Sequence, residues 1–127
     1  MALESRVFSI PGLVAAADLS AAQFKMVKIT AAMTVNLATV KGEGIIGILQ
    51  NKPKSGEPAD VLTIGVSKLV TGTGNLAAAA QYETDTDGTG VTAEVGKVSP
   101  GSVLIAASAG ELATVTIGLP NMAVIHA

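Results

Sequence analysis

The chain has 127 residues, net charge −2, 49% hydrophobic residues and only 14% charged ones, against about 25% in ordinary soluble proteins. That is one domain's length with one modest core, too apolar for a disordered chain and too weakly charged, with the wrong sign, for a nucleic-acid binder. Two Phe and one Tyr make no stacking platform for single strands, and the absence of cysteine excludes disulfides, thiolate metal sites and a cysteine nucleophile. No apolar run approaches the roughly 20 residues of a spanning helix, and Met1 to Arg6 lacks the basic start and apolar stretch of a secretion signal. A greasy chain with few charges and few aromatics fits either a compact Val/Ala-rich β domain or a subunit whose surface is covered by neighbours in an assembly.

Residues 1–22 read as an N-terminal arm and 23–127 as a β-rich domain. Val7-Phe8-Ser9-Ile10 is a short extended piece, broken by Pro11-Gly12. Ser20 to Gln23 matches a capping box and predicts one helical turn. From Phe24 the texture is β. Met26 to Thr30 predicts a half-exposed strand, and Met33 to Leu37 alternates, with Met33, Val35 and Leu37 on one face. Gly44 to Gln50 is a continuous apolar run, too short for a helix, and predicts a strand buried on both faces. A polar loop with two prolines, Asn51 to Pro58, precedes two strands, Ala59 to Ile64 and Val66 to Thr71. After a turn at Gly72 to Asn75, Leu76 to Gln81 carries four consecutive alanines and predicts a short helix. The turn at Asp85 to Gly90 contains the hairpin signal Asp87-Gly88, and strands at Val91 to Val98, Ser102 to Ala107 and Leu112 to Ile117 complete the chain. The fold class is mainly β, a small single-domain barrel or sandwich with an extended arm.

One short pattern recurs. Gly56-Glu57-Pro58-Ala59-Asp60-Val61 and Gly110-Glu111-Leu112-Ala113-Thr114-Val115 share G-E-x-A-x-V, each after an apolar strand and before a strand ending in glycine. The two read as hairpins of one design, related by pseudo-symmetry across a barrel, with glycine supplying a positive φ at the turn. A chain this rich in Gly, Ala and Val also produces such matches by chance.

Candidate chemistry is sparse. The one histidine, His126, sits next to the chain end, a poor place for a general base. Gly42-x-Gly44-x-x-Gly47 satisfies the dinucleotide glycine pattern, but it opens a strand with no helix behind it to receive a phosphate. Lys25-Met26 lacks both flanks of a biotin or lipoyl attachment site. Glu83, Asp85, Asp87 and Glu94 follow the spacing of a calcium loop, with Glu for the usual first Asp, but Gly90 stands where an apolar residue is needed and no helix follows. An acidic hairpin tip accounts for the same residues. The expectation is a non-enzyme without a cofactor, and a calcium-dependent binding or adhesion module is the alternative.

The order of segments resembles the small capsid decoration, or cement, proteins of tailed bacteriophages. The resemblance rests on Gly12 to Lys28, Gly47 to Pro53 through Gly56-Glu57, the Val61 to Val70 strands, the Asp87-Gly88-Thr89-Gly90 turn and the closing Ala106 to Glu111 hairpin. It departs from the family from Asn75 to Tyr82, where a Gly-Asp turn is more usual, and it stops at Ile117. It implies a structural virion protein on the outer surface of an expanded icosahedral head, commonly a homotrimer, that clamps neighbouring major capsid protein subunits. Neither nucleic acid nor membrane is an expected partner. A tail-tube or spike subunit is the structural cousin of this reading. The residues expected to touch the capsid or a neighbouring subunit are Val7, Phe8, Ile10 and Pro11, together with exposed strand edges.

Overall fold

The structure is a computed structural model that describes residues 5–118 and 123–124. It is all β. The strands are β1 (Ser5–Ser9), β2 (Val14–Ala15), β3 (Met26–Ala31), β4 (Thr34–Leu37), β5 (Gly47–Leu49), β6 (Val61–Val70), β7 (Gln81–Thr84), β8 (Gly90–Thr92), β9 (Val98–Ser99), β10 (Gly101–Ile105), β11 (Leu112–Ile117) and β12 (Ala123–Val124). Nine strands run in the order β2-β4-β3-β5-β6-β11-β10-β7-β8, β1 also pairs with β6, and β9 and β12 form a separate pair. The β2–β4 pair is parallel and the other named pairs are antiparallel. The sheet is open rather than closed into a barrel. Its end curls back, and the Met26 N–H donates to the Gly88 carbonyl at 2.7 Å.

The two similar hairpins are the visible part of a larger duplication. Val27↔Leu37 of β3–β4 corresponds to Tyr82↔Thr92 of β7–β8, and Val27↔Gly47 to Tyr82↔Gly101. Likewise Leu49↔Val61 of β5–β6 corresponds to Val103↔Val115 of β10–β11. Each four-strand unit is entered through a left-handed residue that is not glycine, Phe24 (φ 63) or Ala79 (φ 73). Those residues donate equivalent bonds, Phe24 N–H to the Leu49 carbonyl at 2.7 Å and Ala79 N–H to the Val103 carbonyl at 2.8 Å. At the hairpin tips Gly56 (φ 80) and Gly110 (φ 82) take the left-handed conformation that the repeated motif requires. Gly47 and Gly101 also match. A Cβ on either would lie 2.3 Å from the Leu62 carbonyl oxygen or 1.9 Å from that of Thr116. Only glycine lets these backbones approach so closely.

Two apolar clusters fill the molecule. Met26, Ile48, Leu62, Leu69, Leu76, Tyr82, Val103, Ala113, Val115 and Ile117 form the first. Leu13, Ala15, Leu19, Ala22, Val27, Val35, Leu49, Ala59 and Val61 form the second. The expected doubly buried strand is therefore present, since Ile48 enters one cluster and Leu49 the other. Of the 22 residues read as an arm, Leu13 to Ala22 contributes to the second cluster, anchored by the Ala59 N–H to Leu13 carbonyl bond at 2.8 Å. Within that stretch β2 joins the edge of the sheet beside β4, and before it β1 is added along β6.

Several local expectations are corrected. Leu76 to Gln81 is no helix. Leu76 exchanges two backbone bonds with Ala107 and is buried in the first cluster, so a strand partner takes the groups a helix would need. A six-residue segment cannot offset the cost of helix nucleation by itself. Ser20 to Gln23 is a tight turn, with Asp18 Oδ1, not Ser20, accepting an N–H. The two strands expected around Gly65 are one strand, because Gly65 (φ 144) bends β6 without ending it. Val91 to Val98 is broken by a turn closed by the Lys97 N–H to Glu94 carbonyl bond. Met33 sits in the turn before β4 (φ 52) and is exposed, whereas Val35 is buried.

Candidate functional site

Of the residues singled out at the N-terminus, Phe8 and Ile10 meet on one surface. β1 lies antiparallel to β6, with Phe8 opposite Ile64 and Ser9 opposite Leu62. The Thr63 hydroxyl donates to the Phe8 carbonyl at 3.1 Å. This places the Phe8 side chain, 51% exposed, over an open apolar groove that it lines with Ile10, Ile45, Ile46 and Ile64. Val7 lies within β1, and Pro11 is exposed at the turn after it. Pro11 faces a different depression, shared with Asn51, Pro58 and Asp60. Of the four residues expected to make contacts, Phe8 and Ile10 line this groove. Sequence reasoning missed Ile45, Ile46 and Ile64, which read as core strand residues and are only partly buried. An isoleucine groove beneath a half-exposed phenylalanine is a surface that gains free energy on being covered.

The four acidic residues with calcium spacing do not gather around a common point. Glu83 is fully buried. Its Oε2 accepts from Lys41 Nζ at 3.1 Å and its Oε1 from the Glu94 backbone N–H. Glu94 turns its own carboxylate to Lys41 at 2.7 Å, and that bond lowers its pKa while raising that of Lys41. Asp87 accepts from the Thr89 hydroxyl, the leading cause of its lowered pKa, and Asp85 accepts from the Thr86 N–H. Among the described residues no cluster of three acidic or histidine side chains is arranged to hold a metal ion. The lysine is the cation here. It ties the loop after β4 to the loop after β8, and a bond from the Gly42 N–H to the Thr84 carbonyl at 2.8 Å reinforces the tie.

The loop after β4 is organised around a second carboxylate. Glu43 accepts from the N–H groups of Thr39 and Val40, both at 2.8 Å, and pairs with Lys28 at 3.2 Å. Burial works to raise its pKa, but these donors outweigh burial and the net shift is downward. The result is a hydrogen-bonded loop with Val40 exposed, as Val95 is on the corresponding loop of the second unit. Gly42 and Gly44 lead into β5, which Gly47 opens with no helix behind it, and Lys25 immediately precedes β3. His126 lies outside the described residues.

No protein-family model matches the chain, and none of the curated proteins matches its sequence. Among solved structures, the chain is similar to the N base of the head fibre gp8.5 of bacteriophage phi29. The TM-score is 0.69 at 14% identity, over 87% of this chain and 93% of that one. The two therefore share a fold over nearly the whole length of each.

Proposed function

We propose that this chain is a structural, non-enzymatic protein of a bacteriophage head. In this reading it is a decoration (cement) subunit that binds the outer face of the expanded shell and holds neighbouring major capsid protein subunits. The observation that carries the reading is the fold shared with the base of a phage head fibre. The surface supports it. The molecule presents the Phe8 groove and exposed Val40, Val95, Leu104 and Leu112. A subunit in an assembly gains free energy by covering the contiguous groove. Few charges oppose that burial. As a homotrimer the protein would present each contact three times, so a modest affinity per contact suffices for firm attachment.

The same match favours a second reading, in which the chain roots a longer appendage on the head. Copy number separates the two. Purified chain is added to expanded heads assembled without it, and bound copies are counted by co-sedimentation and by cryo-electron microscopy. Saturation near one copy per capsid subunit supports the cement role. Saturation at a small number of sparse positions supports the appendage base. No binding to bare, expanded heads removes both.

A further inference from the structure

β1 pairs less regularly than its neighbours, with two register shifts where β3–β4 and β10–β11 have one each. Its four register pairs with β6, Ser5↔Val66, Arg6↔Gly65, Phe8↔Ile64 and Ser9↔Leu62, are interrupted by two register shifts. Its described side chains, Phe8 and Ser9, belong to neither buried cluster. The chain just after it is fixed firmly. Leu13 is buried, Val14 N–H donates to the Met33 carbonyl at 3.0 Å, and Ala15 N–H donates to the Glu57 carbonyl at 3.0 Å. Between the loosely registered strand and this anchor stand only Ile10, Pro11 and Gly12. Pro11 and Gly12 are exposed, and Gly12 takes φ +85 to fold β1 back onto its own β6. The residue before a proline prefers an extended backbone, so an opened hinge suits Ile10-Pro11 and releases Gly12 from the left-handed region.

We infer that β1 is an exchangeable strand, and that in the assembled protein the β1 of one copy occupies residues 62–66 of β6 in a second copy. The inference rests on the homo-oligomer of the proposed function and names how its subunits are joined. The occupant is specified by the site itself. The β6 edge offers the backbone groups and the isoleucine floor to which this strand already fits, so a second copy's β1 makes in trans the contacts seen in cis. Exchange then costs little beyond opening three hinge residues, and short hinges favour it. The exchanged strand would carry Phe8 with it, making the groove a joint between subunits.

The chain's lack of cysteine makes the test direct. One copy carries Phe8→Cys, another Ile64→Cys, and the two are co-expressed, purified and oxidised. Exchange predicts that a reducible covalent heterodimer appears on a non-reducing gel, up to the share that random mixing of the two copies allows, and that the Phe8→Cys/Ile64→Cys double variant gives chains linked to one another. If the double variant closes its disulfide wholly within one chain and the mixed single variants stay unlinked, exchange is overturned. Should those variants fail to fold, Ser5→Cys with Val66→Cys reads the same register at its other end. Light scattering on the wild type keeps the two ideas apart. An oligomer with only intrachain links removes exchange and leaves the oligomer standing, whereas a monomer removes both.

Discussion

Lys41→Ala isolates the ion pair that joins the two units of the fold. Glu83 is completely buried and has two charge-stabilising partners, the Lys41 ammonium at 3.1 Å and the Glu94 backbone N–H. Removing one partner of a buried pair costs roughly 3–5 kcal/mol, because the remaining charge is left unpaired in a poorly solvated place. The Lys41 side chain is 40% exposed, so water enters the space it vacates and reduces that cost. The expected loss is about 2 kcal/mol, or about 8 °C in Tm for a domain of this size. Glu83→Gln removes the charge while keeping the shape, so in the double variant Lys41→Ala should cost much less than it does alone. Thermal and urea unfolding of wild type, both single variants and the double variant closes the cycle. A coupling near zero, or a loss under about 0.5 kcal/mol for Lys41→Ala, would refute the claim that this lysine neutralises a buried carboxylate.

Other outcomes follow from the same geometry. Gly101→Ala should abolish folding or lower Tm steeply, since its Cβ would fall 1.9 Å from the Thr116 carbonyl oxygen, while Gly44→Ala, with nothing within 4 Å, should be close to neutral; circular dichroism melts compare them. Tyr82→Phe deletes the hydroxyl that donates to the Thr116 carbonyl at 2.8 Å from a fully buried ring, and should cost about 1 kcal/mol in urea unfolding. Glu94, Glu43 and Asp87 have folded pKa values below their ordinary 4.5, 4.5 and 3.8, so their stabilisation is present above those values and is lost as pH falls through the lowered ones. Lys41 is shifted upward from 10.5, so its share is present below that pH and lost as pH climbs through the raised value. A Tm that is flat from pH 6 down to roughly pH 2 would contradict these carboxylate pairings. Chelator should leave Tm unchanged, because Lys41 and Thr89 already engage three of the four acids with calcium spacing; a rise of several degrees on adding calcium would restore the adhesion-module reading.

Much of the strand content was legible because local chemistry and tertiary context agree. The β-branched runs at 26–30 and 112–117 are strands, and the glycine-bounded run at 44–50 contains one buried on both faces. The motif at Gly56 and Gly110 marked two equivalent turns, but the full duplication was not legible. Its other carriers are the left-handed Phe24 and Ala79, which have no side-chain chemistry in common, and the single glycines Gly47 and Gly101, whose need for close backbone approach only the fold reveals. The failed helix at Leu76 to Gln81 shows propensity yielding to context, since alanines favour a helix only until a neighbouring strand claims their backbone. In the candidate site, Phe8 and Ile10 stood out as large apolar residues beside a Pro-Gly break. Ile45, Ile46 and Ile64 did not, because nothing local distinguishes an isoleucine that floors a groove from one in a core. The Lys41–Glu83 pair spans 42 residues and follows no local spacing, so only the fold reveals it.

The most direct measurement for the account as a whole is co-sedimentation of wild type and Phe8→Ala with expanded phage heads that lack this chain. Phe8 contributes to neither core cluster, so the variant should still fold. If the groove is the joint between this protein and the head or its neighbouring subunits, wild type binds saturably and Phe8→Ala binds more than about tenfold more weakly. Equal binding by the two proteins would contradict the assignment of the site, and no binding by either would contradict the head role itself.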